Sequence, residues 1–275
     1  MERDEELTSV AQAAVRLIEA LGIAVPPGGS LTVVGTGIRA VAQLTVESLA
    51  AMAGAEVLLH VIGDLTQEDA IKAINPVAET LTMYYGEGLE RTYTYEAMVQ
   101  HILSEVTAGK RVVAAFYGHP GVCTYPTHES VRRARAAGLP ARMLPAVSAE
   151  DCLFADLGVD PEDGGCHSYE ATDFVFRRRL IDPLAHLLLW QVGTLGNWTY
   201  ESSGYDLSSF PNLVERLARA YPPRHPVTIY EAPFAPTGVA RALRVPITSL
   251  RAEQMTPAST LYVPPVPAGT SPRIW

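Results

Sequence analysis

Residues 7–21 carry apolar side chains at Val10, Ala14, Val15, Leu17, Ile18 and Leu21. That spacing lays a broad stripe along one face of a helix, and the Pro- and Gly-rich stretch 22–29 ends it. The pattern predicts an N-terminal helix packed on the body of the protein. Short apolar runs then alternate with amphipathic ones. Residues 31–34 and 57–62 read as strands, and residues 45–53 and 67–74 as helices. A helix over 95–106 precedes a strand over 111–116, and a helix over 127–137 precedes a short strand over 141–144. This is α/β patterning. A further helix opens at Ser148, where Asp151 three residues on resembles a capping arrangement.

From about residue 164 the texture changes. Strand-like pieces at 168–176, 187–192, 227–231 and 260–263 accompany one clear helix, 213–220, so a second, more β-rich domain is expected. The expected organisation is an N-terminal helix over 1–28, an α/β domain over 29–160, and a β-rich α/β domain over 161–275. There is no internal repeat or low-complexity tract, and residues 264–272 read as an extended tail.

Composition narrows the function classes. With 275 residues, 48% of them apolar, the chain is long enough for one large domain or two coupled ones. A net charge of −9 argues against a surface that binds by neutralising phosphates, so nucleic acid is not an expected partner. The longest apolar runs, such as 49–53 and 112–117, are far below bilayer length, and the N-terminus lacks the order of a signal peptide. The expectation is a soluble, cytoplasmic protein without membrane attachment. Cys123, Cys152 and Cys166 are widely spaced and odd in number, which favours reduced thiols over a disulfide framework. The seven histidines show no ligand spacing, so no metal is expected.

Three motifs bear on chemistry. Gly35-Thr36-Gly37-Ile38-Arg39-Ala40 follows a strand and formally fits the dinucleotide pattern. A ribose-binding acid is poorly placed, since Glu56 begins the second strand and Asp64 lies past a glycine. A tight turn that brings backbone close to a neighbour is the plainer reading. Tyr117-Gly118-His119-Pro120-Gly121-Val122 follows another strand, where open α/β sheets place ligands, and equally suits an ordinary strand-to-helix turn. Between residues 84 and 95, Tyr84, Tyr85, Tyr93 and Tyr95 crowd together with Arg91. Such a density of phenols on a loop needs a surface to meet, whether a reacting ligand or a packing or dimer interface. Arg91 and Tyr95 share a face if helical winding has begun there.

The 117–122 run, followed by residues 141–156 (ARMLPAVSAEDCLFAD), 168–174 (SYEATDF) and 189–193 (LWQVG), resembles the borosin peptide-backbone N-methyltransferases of the tetrapyrrole methylase superfamily. The similarity begins at residues 29–37 (GSLTVVGTG) and continues to 259–265 (STLYVPP), nearly the whole chain. The resemblance implies an α/β, two-domain tetrapyrrole-methylase-like fold with S-adenosyl-L-methionine in the inter-domain cleft and S-adenosyl-L-homocysteine as product. By matching motif, the cofactor positions are Tyr117, His119, Val122, Ala149, Gln191, Ala232, Ser259 and Thr260. The tyrosine loop matches the family's catalytic loop, giving chemical roles to Tyr85, Arg91 and Tyr95, with Tyr117 nearby. The resemblance also implies a homodimer.

Two departures stand out. Thr82 occupies a position where some relatives carry a further tyrosine. The founding members carry their substrate peptide as a C-terminal extension, whereas this sequence stops at Trp275 without an apolar core peptide. The expected arrangement is therefore the split one, with a separate ribosomal precursor peptide methylated in trans. The competing readings are a precorrin-like tetrapyrrole methyltransferase, a nicotinamide-dependent oxidoreductase resting on residues 35–40, and a catalytically silent scaffold. Tetrapyrrole substrates carry many carboxylates, yet basic clusters are few: Arg177-Arg178-Arg179 and Arg132-Arg133.

Overall fold

In the computed structural model, which describes residues 2–39, 41–62, 65–235 and 237–267, the chain forms two compact units. The first holds residues up to Cys152 together with Phe234–Gly238. The second holds Leu153–Pro233 and the residues from Val239 onward. Ala40, Asp64 and the far end of the expected tail lie outside the described residues.

The first unit is built on β1 (Ser30–Gly35), β2 (Val57–Val61), β3 (Ala78–Thr80), β4 (Arg111–Phe116) and β5 (Ala141–Met143), all parallel in the order β3-β2-β4-β1-β5. Its helices are α1 (Glu2–Ala20), α2 (Val46–Ala53), α3 (Leu65–Ile74), α4 (Arg91–Thr107) and α5 (Tyr125–Ala136), and α6 (Ala149–Leu157) runs across the division between units. Successive residues of a strand point to opposite faces, so a sheet covered on both sides reads as a continuous apolar run. On one face Leu31, Val33, Leu59, Val112 and Ala114 pack against Met98, Ile102 and Val106 of α4 and Val131 and Ala134 of α5. On the other, Val34, Leu58, Val113 and Ala115 meet Met52, Ile71, Ile74 and Ala11.

The expected stripe on α1 is buried in part. Ala14 is buried and Val15 and Ile18 are half-buried, together with Ala11, which the stripe did not include. Val10 and Leu17 are 55% and 48% exposed, and Leu21, 65% exposed, lies just beyond the helix. α1 lies along α2 and α3, so the buried line runs through residues 11, 14, 15 and 18 and the flanking large residues are turned outward.

The second unit carries β6 (Cys166–Glu170), β7 (His186–Trp190), β8 (Pro226–Glu231), β9 (Arg241–Pro246) and β10 (Thr260–Val263) in the order β6-β7-β10-β8-β9. Only β6 and β7 are parallel. Leu187, Leu189, Val227, Ile229, Leu261 and Val263 form one core with Phe174 of α7 (Ala171–Phe176) and Phe210, Leu213 and Leu217 of α8 (Phe210–Ala220). The expected strand over 168–176 is therefore half strand and half helix. The Glu170 carboxylate accepts the backbone N–H groups of Thr172 at 2.8 Å and Asp173 at 2.7 Å, which caps a new helix. Two strands went unanticipated. β3 is only three residues long, and the edge strand β9, with arginines at 241 and 244, neither alternates strictly nor has a buried residue. Among the described residues no helix is long and apolar enough to cross a membrane.

Asn75, buried just after α3, joins three segments. Its side-chain amide donates to the carbonyls of Met52 (2.9 Å) and Ala55 (3.0 Å), and its oxygen accepts from Val77 N–H (3.1 Å). Asn75→Ala leaves these groups without partners and is expected to lower stability by about 1–3 kcal/mol. Urea unfolding measures it, and an unchanged midpoint would show that water replaces the amide.

Candidate active site

The central strands β1 and β4 end side by side, and the turns beyond them touch. Gly37 N–H donates to Gly118 C=O at 3.3 Å, and Gly118 N–H returns a bond to Gly37 C=O at 3.0 Å. A Cβ on Gly35 would stand 2.2 Å from the Gly118 carbonyl oxygen, and one on Gly37, at φ +71°, would stand 2.4 Å from Gln43 Cβ. The first glycine motif therefore serves close backbone approach. The N–H groups of Ile38 and Arg39, which a dinucleotide pyrophosphate needs, donate to the Gln43 side-chain oxygen at 2.8 and 2.9 Å. This argues against the nicotinamide reading.

The 117–122 turn is fixed from within. His119 Nδ1 accepts Gly121 N–H at 2.9 Å, Val122 N–H donates to His119 C=O at 3.1 Å, and His128 Nε2 lies 2.9 Å from Gly121 C=O. The Thr127 hydroxyl, at the start of α5, bonds the Pro120 carbonyl. Tyr117 is half-buried, its N–H bonded to Val61 C=O at the end of β2, its ring stacked on Phe234 with centroids 5.3 Å apart. Val122 is 39% exposed. Ala149 is the first residue of α6, whose N-terminus is tied by Ser148 and Asp151. The Asp151 carboxylate accepts from Ser148 N–H and Oγ, both at 2.7 Å, and Ser148 Oγ accepts Asp151 N–H at 3.2 Å. The capping read from the sequence is present.

The tyrosine segment divides between a short 3-10 turn, Thr82–Tyr84, and the first turn of α4. Helical winding begins at Arg91, so Arg91 and Tyr95 share a face, both half-buried. Thr94 Oγ1 donates to Tyr84 C=O at 3.1 Å, and Tyr84 Oη is 3.1 Å from His101 Nδ1, which holds the turn against the helix. Tyr95 stacks on Tyr125 at 6.3 Å, and Tyr84, Tyr85 and Tyr95 pack on the core cluster that contains Phe116 at the end of β4. Tyr93, 71% exposed, stands apart. Arg91 and Tyr95 thus share the first turn of α4, Tyr85 and Tyr95 pack on one core cluster, and Tyr117 directly follows Phe116 of that cluster.

In the second unit the remaining positions meet at one end of the sheet. Gln191 follows β7 in the left-handed region at φ +57°, Ala232 follows β8, and the buried Ser259 and Thr260 open β10. Val192 N–H donates to Ser259 C=O at 3.2 Å. A Cβ on Gly193 would lie 1.8 Å from Thr256 C=O, so the chain passes here backbone to backbone. Sequence reasoning missed Glu231. Its Oε1 accepts from Ser259 Oγ, from Thr256 Oγ1 at 2.8 Å and from Arg241 at 2.6 Å. Burial alone would raise this carboxyl, but the hydroxyls of Ser259 and Thr256 and the Arg241 guanidinium outweigh it and hold it below the usual carboxylate range. The available signal was an acid ending an otherwise apolar strand.

Comparison with known proteins follows from this geometry. A model of the tetrapyrrole (corrin/porphyrin) methylases matches residues 30–233. The chain belongs to this family. Among solved structures, uroporphyrin-III-C-methyltransferase from Thermus thermophilus superposes with a TM-score of 0.60 at 22% identity, over 86% of this chain and 92% of that one. A cobalt precorrin-4 methyltransferase does so at 0.62 and 17%, over 86% and 95%. At such identities the likeness concerns the fold, mixed α/β with a parallel sheet. Two curated relatives are nearer in sequence, each matching 241 residues, 86% of this chain. The methyltransferase and cyclic peptide dendrothelin A precursor of Dendrothele bispora is 42% identical, and the corresponding omphalotin A precursor of Omphalotus olearius 40%. The chain spans 58% of the length of each.

Considered unit by unit, the positions expected to meet the cofactor are chemically compatible with a nucleoside sulfonium: Ala149 and the partly exposed Val122 in the first unit carry small or apolar side chains, and Ala232, Ser259 and Gln191 in the second carry a methyl, a hydroxyl and an amide. Because the Glu231 carboxyl is depressed in the folded state, its contribution to stability is present above the unfolded value of 4.5 and is lost as the pH falls through the folded one. Glu231→Gln is expected to lower stability at neutral pH by about 1–3 kcal/mol and to make the acid-side decline of the melting temperature shallower. Parallel melting curves for both proteins below pH 4.5 would contradict this account.

Proposed function

We propose that this chain is an S-adenosylmethionine-dependent methyltransferase of the borosin type, which N-methylates backbone amides of a precursor peptide supplied as a separate polypeptide, and that it works as a homodimer. The observation that carries the reading is that Arg91 and Tyr95 share a face of the first turn of α4 while Tyr85 and Tyr95 pack on one core cluster, whose Phe116 immediately precedes Tyr117. The family membership supports the cofactor. The similarity to proteins named both methyltransferase and cyclic peptide precursor supports a peptide acceptor.

An amide nitrogen is a poor nucleophile because its lone pair is delocalised into the carbonyl. Loss of the N–H proton gives an imidate whose charge lies largely on oxygen. The Arg91 guanidinium binds that oxygen and favours the deprotonated form. Tyr95 is the base. A phenol titrates near about 10 in water, and a guanidinium close by favours phenolate. Tyr85 orients the amide. When bound, the cofactor supplies an electrophilic methyl: the nitrogen–carbon bond forms as the carbon–sulfur bond breaks, and a neutral thioether leaves. The contacts assigned to the cofactor are Tyr117, His119, Val122 and Ala149 in the first unit and Gln191, Ala232, Ser259 and Thr260 in the second.

The test is incubation with S-adenosylmethionine and short apolar peptides supplied as separate chains, read by fragment-ion mass spectrometry. Methyl additions on backbone nitrogens are expected, with kcat reduced about 10²- to 10³-fold in Arg91→Ala. Cofactor binding should persist in that variant. Tyr95→Phe at full turnover would remove Tyr95 as base, and methylation of a tetrapyrrole but of no peptide would overturn the acceptor.

A further inference from the structure

The reading above leaves the Arg177-Arg178-Arg179 run unused. In the second unit this run leaves α7 beside α8, where Arg178, Arg216 and Arg219 line an open cavity of about 370 Å³ with Val175, Phe176, Asn212 and one acid, Glu215. The charges there are unevenly matched. Asp173 pairs with Arg177 at 3.1 Å and with Arg179 at 2.5 Å, and Glu215 pairs with Arg219 at 2.5 Å. Among the described residues, Arg178 and Arg216 have no ion-pair partner.

Arg216 is held in place rather than loosely solvated. Its guanidinium carbon sits 4.6 Å from the centroid of the Phe174 ring, it donates to the Arg179 carbonyl, and its Nε is buried without a hydrogen-bond partner. Burial, and then the charge of Arg178, push its pKa down. Arg178 adopts φ +52°, a conformation that non-glycine residues rarely take. An unpaired cation with a buried donor is costly until an anion reaches it. The net charge of −9 makes this concentration of arginine a local feature. Phe176 and Leu180, 57% and 72% exposed, add apolar surface beside the charges, which suits side chains of mixed character better than a bare ion.

We propose that this cavity binds the clustered carboxylates of an acidic segment of the precursor peptide, with Arg178 and Arg216 as the charge partners. The assignment to the precursor rests on the peptide-methyltransferase reading. Guanidinium groups meet carboxylates through paired N–H donors, so charge and geometry are matched together.

The test is fluorescence anisotropy of the full chain with a labelled peptide of alternating Glu and Leu. Saturable binding is expected, weakened about tenfold or more in Arg178→Gln and in Arg216→Gln and unchanged in Arg132→Ala on α5. Arg178→Gln leaves the Phe174 stack intact, and an unaltered thermal melt confirms its fold, so it decides the matter even if Arg216→Gln fails to fold. Equal affinity in Arg178→Gln overturns the proposal. So does a wild-type protein whose melt responds to inorganic phosphate while the peptide does not bind, since the cavity is then a small-oxyanion site. Binding is read without cofactor, so loss of methyl transfer with peptide binding intact counts against the methyltransferase reading alone.

Discussion

Beyond the ends of β1 and β4 two turns exchange backbone hydrogen bonds through Gly37 and Gly118, and the rest of the first unit's chemistry depends on that approach. It is possible because Gly35 has no Cβ to meet the Gly118 carbonyl. With the turns joined, the chain after β4 has one course. Tyr117 is pinned to Val61, His119 is locked on Gly121, and α5 begins with Thr127 bonded back to Pro120. Two parallel strands thereby deliver aromatic and small residues to one edge of the sheet, where open α/β folds place their ligands.

The second unit solves the same problem with different chemistry. The positions proposed to meet the cofactor there stand at one end of the sheet, where β7 and β8 finish and β10 begins, and Glu231 holds that end by collecting two hydroxyls and a guanidinium. The close passage of Gly193 over Thr256 and the left-handed Gln191 complete a backbone arrangement that side chains alone would not fix. A residue held in a sparsely populated conformation needs surroundings that over-determine it, and here Val192 N–H is bonded to Ser259 C=O while the Gln191 carbonyl accepts from Thr194 N–H and Oγ1.

Much of this was legible in the sequence, for reasons that can be named. The strand over 111–116 and the helix after 148 were read correctly because a continuous apolar run and a Ser–Asp cap are local signals. The grouping of Arg91 with Tyr95 was legible once four-residue spacing was applied. The buried face of α1 was legible only in part: Ala14, Val15 and Ile18 face inward, but the pattern also took in the exposed Val10 and Leu17 and passed over the buried Ala11. Helix α7 was hidden inside a run that reads as strand, since the carboxylate of Glu170 that starts it is an ordinary charged residue until the backbone turns. The Glu231 network escaped for a related reason: its partners lie ten to twenty-eight residues away in the chain.

The seating of α1 on two alanines has a consequence for how the molecule opens. A helix seated on Ala11 and Ala14, with Val15 and Ile18 only half-buried and Val10 and Leu17 left to solvent, loses less buried apolar area when it detaches than does separating β1 from β4, which exposes a complete core. The amides of α1 therefore belong to a separate cooperative unit from those of the central strands, with a smaller opening free energy. Partial unfolding begins at the amino-terminal helix and leaves the joined glycine turns standing.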